Sequence, residues 1–250
     1  MAEDKIEDSL QDRRFGGVAR LYGPELRERF RNATVVVAGL GGVGSWAAEA
    51  LARTAIGHLV LVDFDHIAES NTNRQIHALE GEYGKAKVQA MFDRIKQINP
   101  DIALTAHDEF LEPANLDRII PEGAIVLDAT DSVQTKIALA VWATKNQRAL
   151  VMCGAAGGKS DPTSVRCDDL SRTEQDALLA KVRQGLRQDH GFSRNLKKKI
   201  GIRAIYSHEP RAGVATGGLA CSGYGSTVMV TAACGLAAAA EILNLIATQE

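Results

Sequence analysis

The sequence predicts an α/β protein: a doubly wound, mostly parallel sheet with a C-terminal α/β extension ending in an apolar helix. Three observations carry this expectation. Short apolar runs recur along the first 150 residues, helical segments separate them, and the first run flows into a glycine-rich turn. Strands that are apolar on both faces need helices above and below, which is the habit of a parallel sheet.

ThrValValValAla at 34–38 is the first strand, and it leads into Gly39-Leu40-Gly41-Gly42-Val43-Gly44. A helix over 45–53 and a strand over 58–63 follow. The helix over 84–98 stops at Asn99-Pro100, because the residue before a proline is driven out of helical geometry. Strands are expected at 102–107, 124–128 and 149–153, with a helix at 133–146 between the last two. Beyond Gly154 the alternation weakens. Residues 168–200 are polar and partly helical, a short strand falls near 202–207, and Val228 to Ala247 is nearly all apolar. Strand, glycine turn and helix in this order make the core Rossmann-like. Residues 1–155 read as a nucleotide-binding core with an N-terminal helical arm, and 156–250 as a substrate-binding extension with a closing helix.

Composition excludes several classes. Lys and Arg number 29 against 31 Asp and Glu, a net charge of -2, so any nucleic-acid signal must be local. The acidic, polar start resembles neither a secretory nor a transit peptide, and a cytoplasmic location is expected. Cys153, Cys167, Cys221 and Cys234 form no C-x-x-C pair, which excludes a zinc knuckle or a thioredoxin-like motif. They read as mostly buried thiols, with Cys221 set apart in a glycine-rich loop. The last apolar stretch is long enough to span a membrane. It is rich in alanine and interrupted by Glu241 and Asn244, so a helix buried against the sheet or a second subunit is expected instead.

The glycine turn lets the backbone approach phosphate, and the helix after it offers free N–H groups to an anion. This makes Gly39, Gly41, Gly42 and Gly44 nucleotide candidates. Asp63, at the end of the second strand, has the spacing of a carboxylate that accepts ribose hydroxyls. The next residues argue for a terminal triphosphate over a dinucleotide. Asn71, Asn73, Arg74 and Lys87 supply more amide and cationic groups than a buried pyrophosphate needs. Asp131, at the carboxyl edge of the fourth strand, is the candidate to hold Mg²⁺ on the phosphates. Arg74, Lys87 and Asp131 are accordingly the catalytic candidates, with ATP as cofactor.

GlyLeuGlyGlyValGly, LeuValAspPheAsp, SerAsnThrAsnArgGln, GlyLysAlaLys and AspAlaThrAsp, in this order, resemble the ubiquitin-activating-enzyme superfamily with its bacterial members MoeB and ThiF. The resemblance implies that Asp63 holds the ribose, Asn71, Arg74 and Lys87 the phosphates, and Asp131 the Mg²⁺. Asp65 and Asn73 are further nucleotide-binding candidates. The resemblance also implies a homodimer in which an N-terminal arginine crosses the interface. The position the family usually uses falls on Gly17, which leaves Arg14 and Arg20 as candidates.

Within that superfamily the chain lacks the two C-x-x-C zinc pairs of sulfur-carrier activators. ArgPheGlyGlyValAlaArgLeuTyrGly, ThrAsnArgGlnIleHisAla, GlyAlaAlaGlyGlyLysSerAspProThr and AlaCysSerGlyTyrGlySerThr are similar to the TcdA/CsdL group, the tRNA threonylcarbamoyladenosine dehydratases. The stretch from His208 to Cys221 is short for the group. The resemblance implies adenylation of the threonyl carboxylate and ring closure by the substrate's own carbamoyl group, which needs no enzyme cysteine. It adds a sulfur-transfer partner of the cysteine-desulfurase type and a monovalent cation as further expectations.

A tRNA substrate calls for a local basic surface. Lys181, Arg183, Arg187, Arg194, Lys197, Lys198, Lys199 and Arg203 stand against Asp189 alone between 181 and 203. Lys159 is a weaker candidate, and Phe192 is placed to stack on a base. Three rival readings remain: activation of a small sulfur-carrier protein's C-terminal glycine, a non-catalytic nucleotide-binding partner in sulfur transfer, and a NAD-dependent oxidoreductase.

Overall fold

The computed structural model describes residues 13–195, 198–210 and 224–248. A helical segment over 13–22 is followed by α1 (Pro24–Asn32), β1 (Thr34–Ala38), α2 (Gly44–Arg53), β2 (His58–Val62) and α3 (Lys87–Ile98). Then come β3 (Ala103–His107), the single turn α4 (Leu116–Ile119), β4 (Ile125–Asp128), α5 (Val133–Lys145) and β5 (Leu150–Cys153). The chain closes with β6 (Val165–Asp169), α6 (Ala177–Asp189), β7 (Arg203–Ser207) and α7 (Val228–Thr248).

The strands form one seven-stranded sheet in the order β3-β2-β1-β4-β5-β7-β6. Neighbours run parallel except for β6, which pairs antiparallel with β7. The expected doubly wound fold is therefore the one observed. β7 and β6 extend the same sheet beyond residue 155, so the C-terminal part completes the core's sheet and does not stand apart from it.

Alternation along the strands explains the two layers. Val35, Val37, Leu59, Leu61, Leu127 and Val151 face a core shared with α1, α2, α3 and α7. Val36, Val60, Val126, Met152 and Ala204 face a second core shared with α4, α5 and α6. Each such valine, leucine or methionine contributes roughly 1.5–3 kcal/mol through burial.

α7 is long and apolar enough to cross a membrane by length and composition. In the fold, Val230, Ala238, Ile242 and Ile246 are buried against the sheet-facing core. Gly235 brings α7 close to α2: a Cβ there would meet the Val43 carbonyl at 2.5 Å. The apolar run is explained by this packing. β6 escaped the sequence pattern because ValArgCysAspAsp is a half-exposed edge strand with no apolar alternation.

Candidate functional site

β1 ends at Gly39, whose φ of +85° and approach to the Ala129 carbonyl exclude a side chain. The loop is pinned from both sides, as Gly39 N donates to Val62 O and Ala129 N to Ala38 O, each at 2.8 Å. Gly41 has open space beside it, and Gly42 lies against Arg74 and Thr231. Gly44 has a different task. A Cβ there would sit 1.8 Å from the Gly39 carbonyl, so it serves the close packing of turn on helix and does not line the cleft.

A cleft of about 300 Å³ opens at the carboxyl edge of the sheet, where doubly wound folds bind ligands. Gly39, Gly41, Gly42, Asp63, Asp65, Asn71, Arg74, Lys87 and Asp131 all line it. Asp63 accepts from Leu40 N at 2.5 Å and from Asp65 N at 2.8 Å, which fixes its carboxylate beside the glycine turn. Burial holds the Asp63 carboxyl above its ordinary range, against the pull of Lys87 and of those two amides. Lys87 is itself buried and reaches Asp65 Oδ2 at 2.7 Å.

The chain after β2 folds into a compact turn that presents Arg74. Asn71 Oδ1 accepts from Ala68 N, and Arg74 Nη1 donates to Ser70 O at 2.8 Å and to Asn73 Oδ1 at 2.9 Å. Trp46 on α2 donates from Nε1 to Arg74 O at 3.0 Å, so the arginine's backbone is braced by the helix after the glycine turn. Asn73 is not among the residues lining the cleft: its side-chain amide donates to Ser226 O and its backbone carbonyl accepts from Val228 N, tying this turn to the start of α7.

Asp131 is exposed at the cleft. Among the described residues no group of three or more His, Cys, Asp or Glu gathers to hold a metal. A single carboxylate beside phosphate oxygens is a donor set that Mg²⁺ accepts, because it keeps several waters and binds through one or two carboxylates. The residues present therefore fit that ion.

Sequence reasoning missed three features here. Phe64 and Phe110 stack at the mouth, ring centroids 4.6 Å apart and tilted by 36°, and give the cleft a flat apolar rim beside Asp63. Lys136 and Asp128 form a fully buried ion pair at the foot of the Asp131 turn. Gly154, Ala155, Ala156 and Leu178 close the far wall, held there by Asp176, which accepts from Ala155 N and caps α6 through Leu179 N. The cleft thus brings the aromatic rim, the Asp63 carboxylate and the cations of Arg74 and Lys87 into one concave site.

The model of the ThiF family matches residues 15–250. The chain belongs to the ThiF family. A tRNA threonylcarbamoyladenosine dehydratase of Escherichia coli (strain K12) is 43% identical over 255 residues, 96% of this chain and 95% of that one. Solved structures of the E. coli enzyme TcdA in complex with ATP and with AMP are 43% identical to this ThiF-family chain, each with a TM-score of 0.88. Each covers 94% of this chain, and the chain covers 94% and 95% of them respectively. A molybdopterin-synthase adenylyltransferase of E. coli matches over 110 residues, 37% identical, 44% of either chain.

The expected basic surface is only partly assembled. Lys181, Arg194, Lys198 and Lys199 are exposed, and Lys197 lies outside the described residues, as does Cys221. Lys159 is buried, and its ammonium donates to Ser207 O at 2.6 Å and Gln175 O at 3.2 Å, which removes it from a polyanion surface. Arg203 is committed to Glu241 at 2.5 Å, and Arg183 to Thr173 and the Leu170 carbonyl. Arg187 is half-buried, with Nε and one terminal nitrogen shielded and unpartnered. Phe192 packs against the second core and is not free to stack on a base. Arg14 donates to Ile98 O at 3.0 Å and Arg20 is exposed; neither lines the cleft of its own chain.

Proposed function

We propose that this protein uses ATP to dehydrate threonylcarbamoyladenosine in tRNA. The observation that carries the reading is 43% identity held over 96% of this chain and 95% of the E. coli dehydratase. That relation runs through the C-terminal part, whereas the match to the sulfur-carrier activator stops at 44% of the chain.

In this mechanism a threonyl carboxylate oxygen attacks the α-phosphorus of ATP, and the bond from that phosphorus to the bridging oxygen breaks to release pyrophosphate. The carbamoyl group of the same nucleoside then attacks the activated carbonyl and loses a proton. The bond to AMP breaks with its electron pair on AMP, and the nucleoside has lost one water. Gly41 and Gly42 let the backbone approach the phosphates, Asp63 accepts the ribose hydroxyls, and Arg74 and Lys87 hold charge on the phosphates. Because the attacking group belongs to the substrate, the protein's contribution is position and charge. Mg²⁺, held by Asp131, would supply further positive charge against the phosphates.

The same reading makes the protein a cytoplasmic homodimer in which Arg14 or Arg20 reaches the partner's nucleotide. The placement of both arginines away from their own cleft supports this. A cysteine-desulfurase sulfur-transfer partner and a monovalent cation belong to it as well. The deciding experiment incubates the protein with ATP, with and without tRNA carrying threonylcarbamoyladenosine, then measures AMP and the nucleoside masses. AMP formed with the modified tRNA, and a nucleoside lighter by one water, are expected. Pyrophosphate exchange driven instead by a Gly-Gly-tailed small protein would replace this reading with carrier activation.

A further inference from the structure

In the crossing between α6 and β7, the described residues 190–195 and 198–202 carry Arg194, Lys198 and Lys199 in exposed positions. None of the three forms an ion pair among the described residues, whereas Arg53, Lys85, Arg94, Arg118 and Arg203 elsewhere are all paired with carboxylates. The roots of the crossing are fixed by burial. Phe192 and Ile200 both pack against the second core, and Phe192 N donates to Leu186 O at 3.2 Å.

The second root has a polar lock. Asp169, buried at the end of β6, accepts from Ile200 N at 2.9 Å on Oδ1 and from Gly201 N at 2.7 Å on Oδ2. The same Oδ1 takes Ser171 N at 2.9 Å and Ser171 Oγ at 2.6 Å. Gly201 has a φ of +89°, so the turn into the lock needs glycine. Burial opposes ionisation of Asp169, yet the bonds from Ser171, Ile200 and Gly201 outweigh it and keep the carboxyl below its ordinary range.

We propose that Asp169 is the positioning residue of an RNA phosphate-binding surface, its carboxylate fixing Ile200 and Gly201 so that the neighbouring Lys198 and Lys199 meet the RNA backbone together with Arg194. This rests on the tRNA reading above. The surface reads backbone and not bases, because the segment's aromatic residue, Phe192, is spent on the core. A buried carboxylate thereby governs RNA affinity: cations already held in place lose less freedom when they bind.

The test compares the full-length protein with Asp169→Asn, which keeps the side chain's shape but loses one acceptor and the charge. We expect the KM for modified tRNA to rise about tenfold, with the KM for ATP unchanged within twofold. The log–log salt slope of tRNA binding should flatten by about one, as phosphate contacts loosen. Combining Asp169→Asn with alanine at Arg194, Lys198 and Lys199 should be no worse for tRNA than the triple alanine change alone. A folded D169N with unchanged tRNA KM and slope overturns the proposal, as do strictly additive effects. Hydrogen exchange on the unaltered protein tests it even if D169N fails to fold: slow Ile200 and Gly201 amides support the lock, and loop-like exchange refutes it. Failure of the unaltered protein to bind tRNA would sink the tRNA reading itself, a result separable from the others.

Discussion

Lys136 on α5 and Asp128 at the end of β4 form an ion pair, Nζ to Oδ1 at 3.1 Å, with both side chains wholly shielded from solvent. The same Oδ1 accepts from Thr130 N at 3.0 Å and Thr130 Oγ1 at 2.7 Å, so the pair holds the turn that carries Asp131. Asp128 Oδ2 has no hydrogen-bond partner, and among the described residues Lys136 is the cation paired with the carboxylate. Losing one member of a buried pair strands the other, at a cost of about 3–5 kcal/mol. Lys136→Met should therefore destabilise the protein by about that much in urea unfolding. Adding Asp128→Asn should recover most of the loss, because Asn still accepts from Thr130. A double variant as weak as the single one would show that the pair is not what holds the turn.

Asp131→Ala should behave in the opposite way. The side chain is exposed, so stability should change by no more than about 0.5 kcal/mol. AMP formation should fall on the order of 100-fold or more, the scale of losing one preorganised charge in a reaction site. Thermal melting beside AMP release checks both halves. Normal AMP production by the variant would remove Asp131 from the chemistry.

The sequence made the glycine turn, Asp63, Arg74 and Lys87 legible because each is announced by local order: strand, turn, helix, and a carboxylate at a set distance. What it hid depends on contacts across the fold. Lys136 sits in an apolar helix with nothing nearby to name Asp128 as its partner. Phe64 and Phe110 meet only because β2 and β3 are neighbours in the sheet. Charge counting treated Lys159 and Arg203 as free cations, yet the first is buried on backbone carbonyls and the second is held by Glu241 on α7. Asn73 and Gly44 stand in the motifs but outside the cleft lining, where they tether and pack, which motif order does not reveal.

His77 gives the protein a pH-dependent weakness. It is buried, neither ring nitrogen has a partner, and its pKa is pushed down to about 4 by burial, then by Lys87 and Arg94. The unfolded chain takes up this proton near pH 6.5 while the folded chain refuses it until about 4, so stability is lost as pH falls through that window. The loss between pH 7 and pH 5 is about 2 kcal/mol from this residue. Urea unfolding at both pH values should show His77→Leu losing about 2 kcal/mol less than the parent. An equal loss in the two proteins would clear His77 of the effect.

The exposed lysines make a prediction in which salt is the instrument. Lys198 and Lys199 face solvent without carboxylate partners among the described residues, so those neighbours neutralise little of their charge. Each cation that meets a phosphate releases a counterion, which steepens the log–log dependence of binding on salt by about 0.7–0.9 per contact. Reversing both charges, Lys198→Glu and Lys199→Glu, should weaken tRNA binding and flatten the slope by about 1.5, with ATP affinity unchanged. Filter binding across a range of salt concentrations gives the slope directly. A weaker affinity with an unaltered slope would mean that these lysines shape the loop without touching phosphate, and the RNA surface would have to be sought around Lys181 and Arg194.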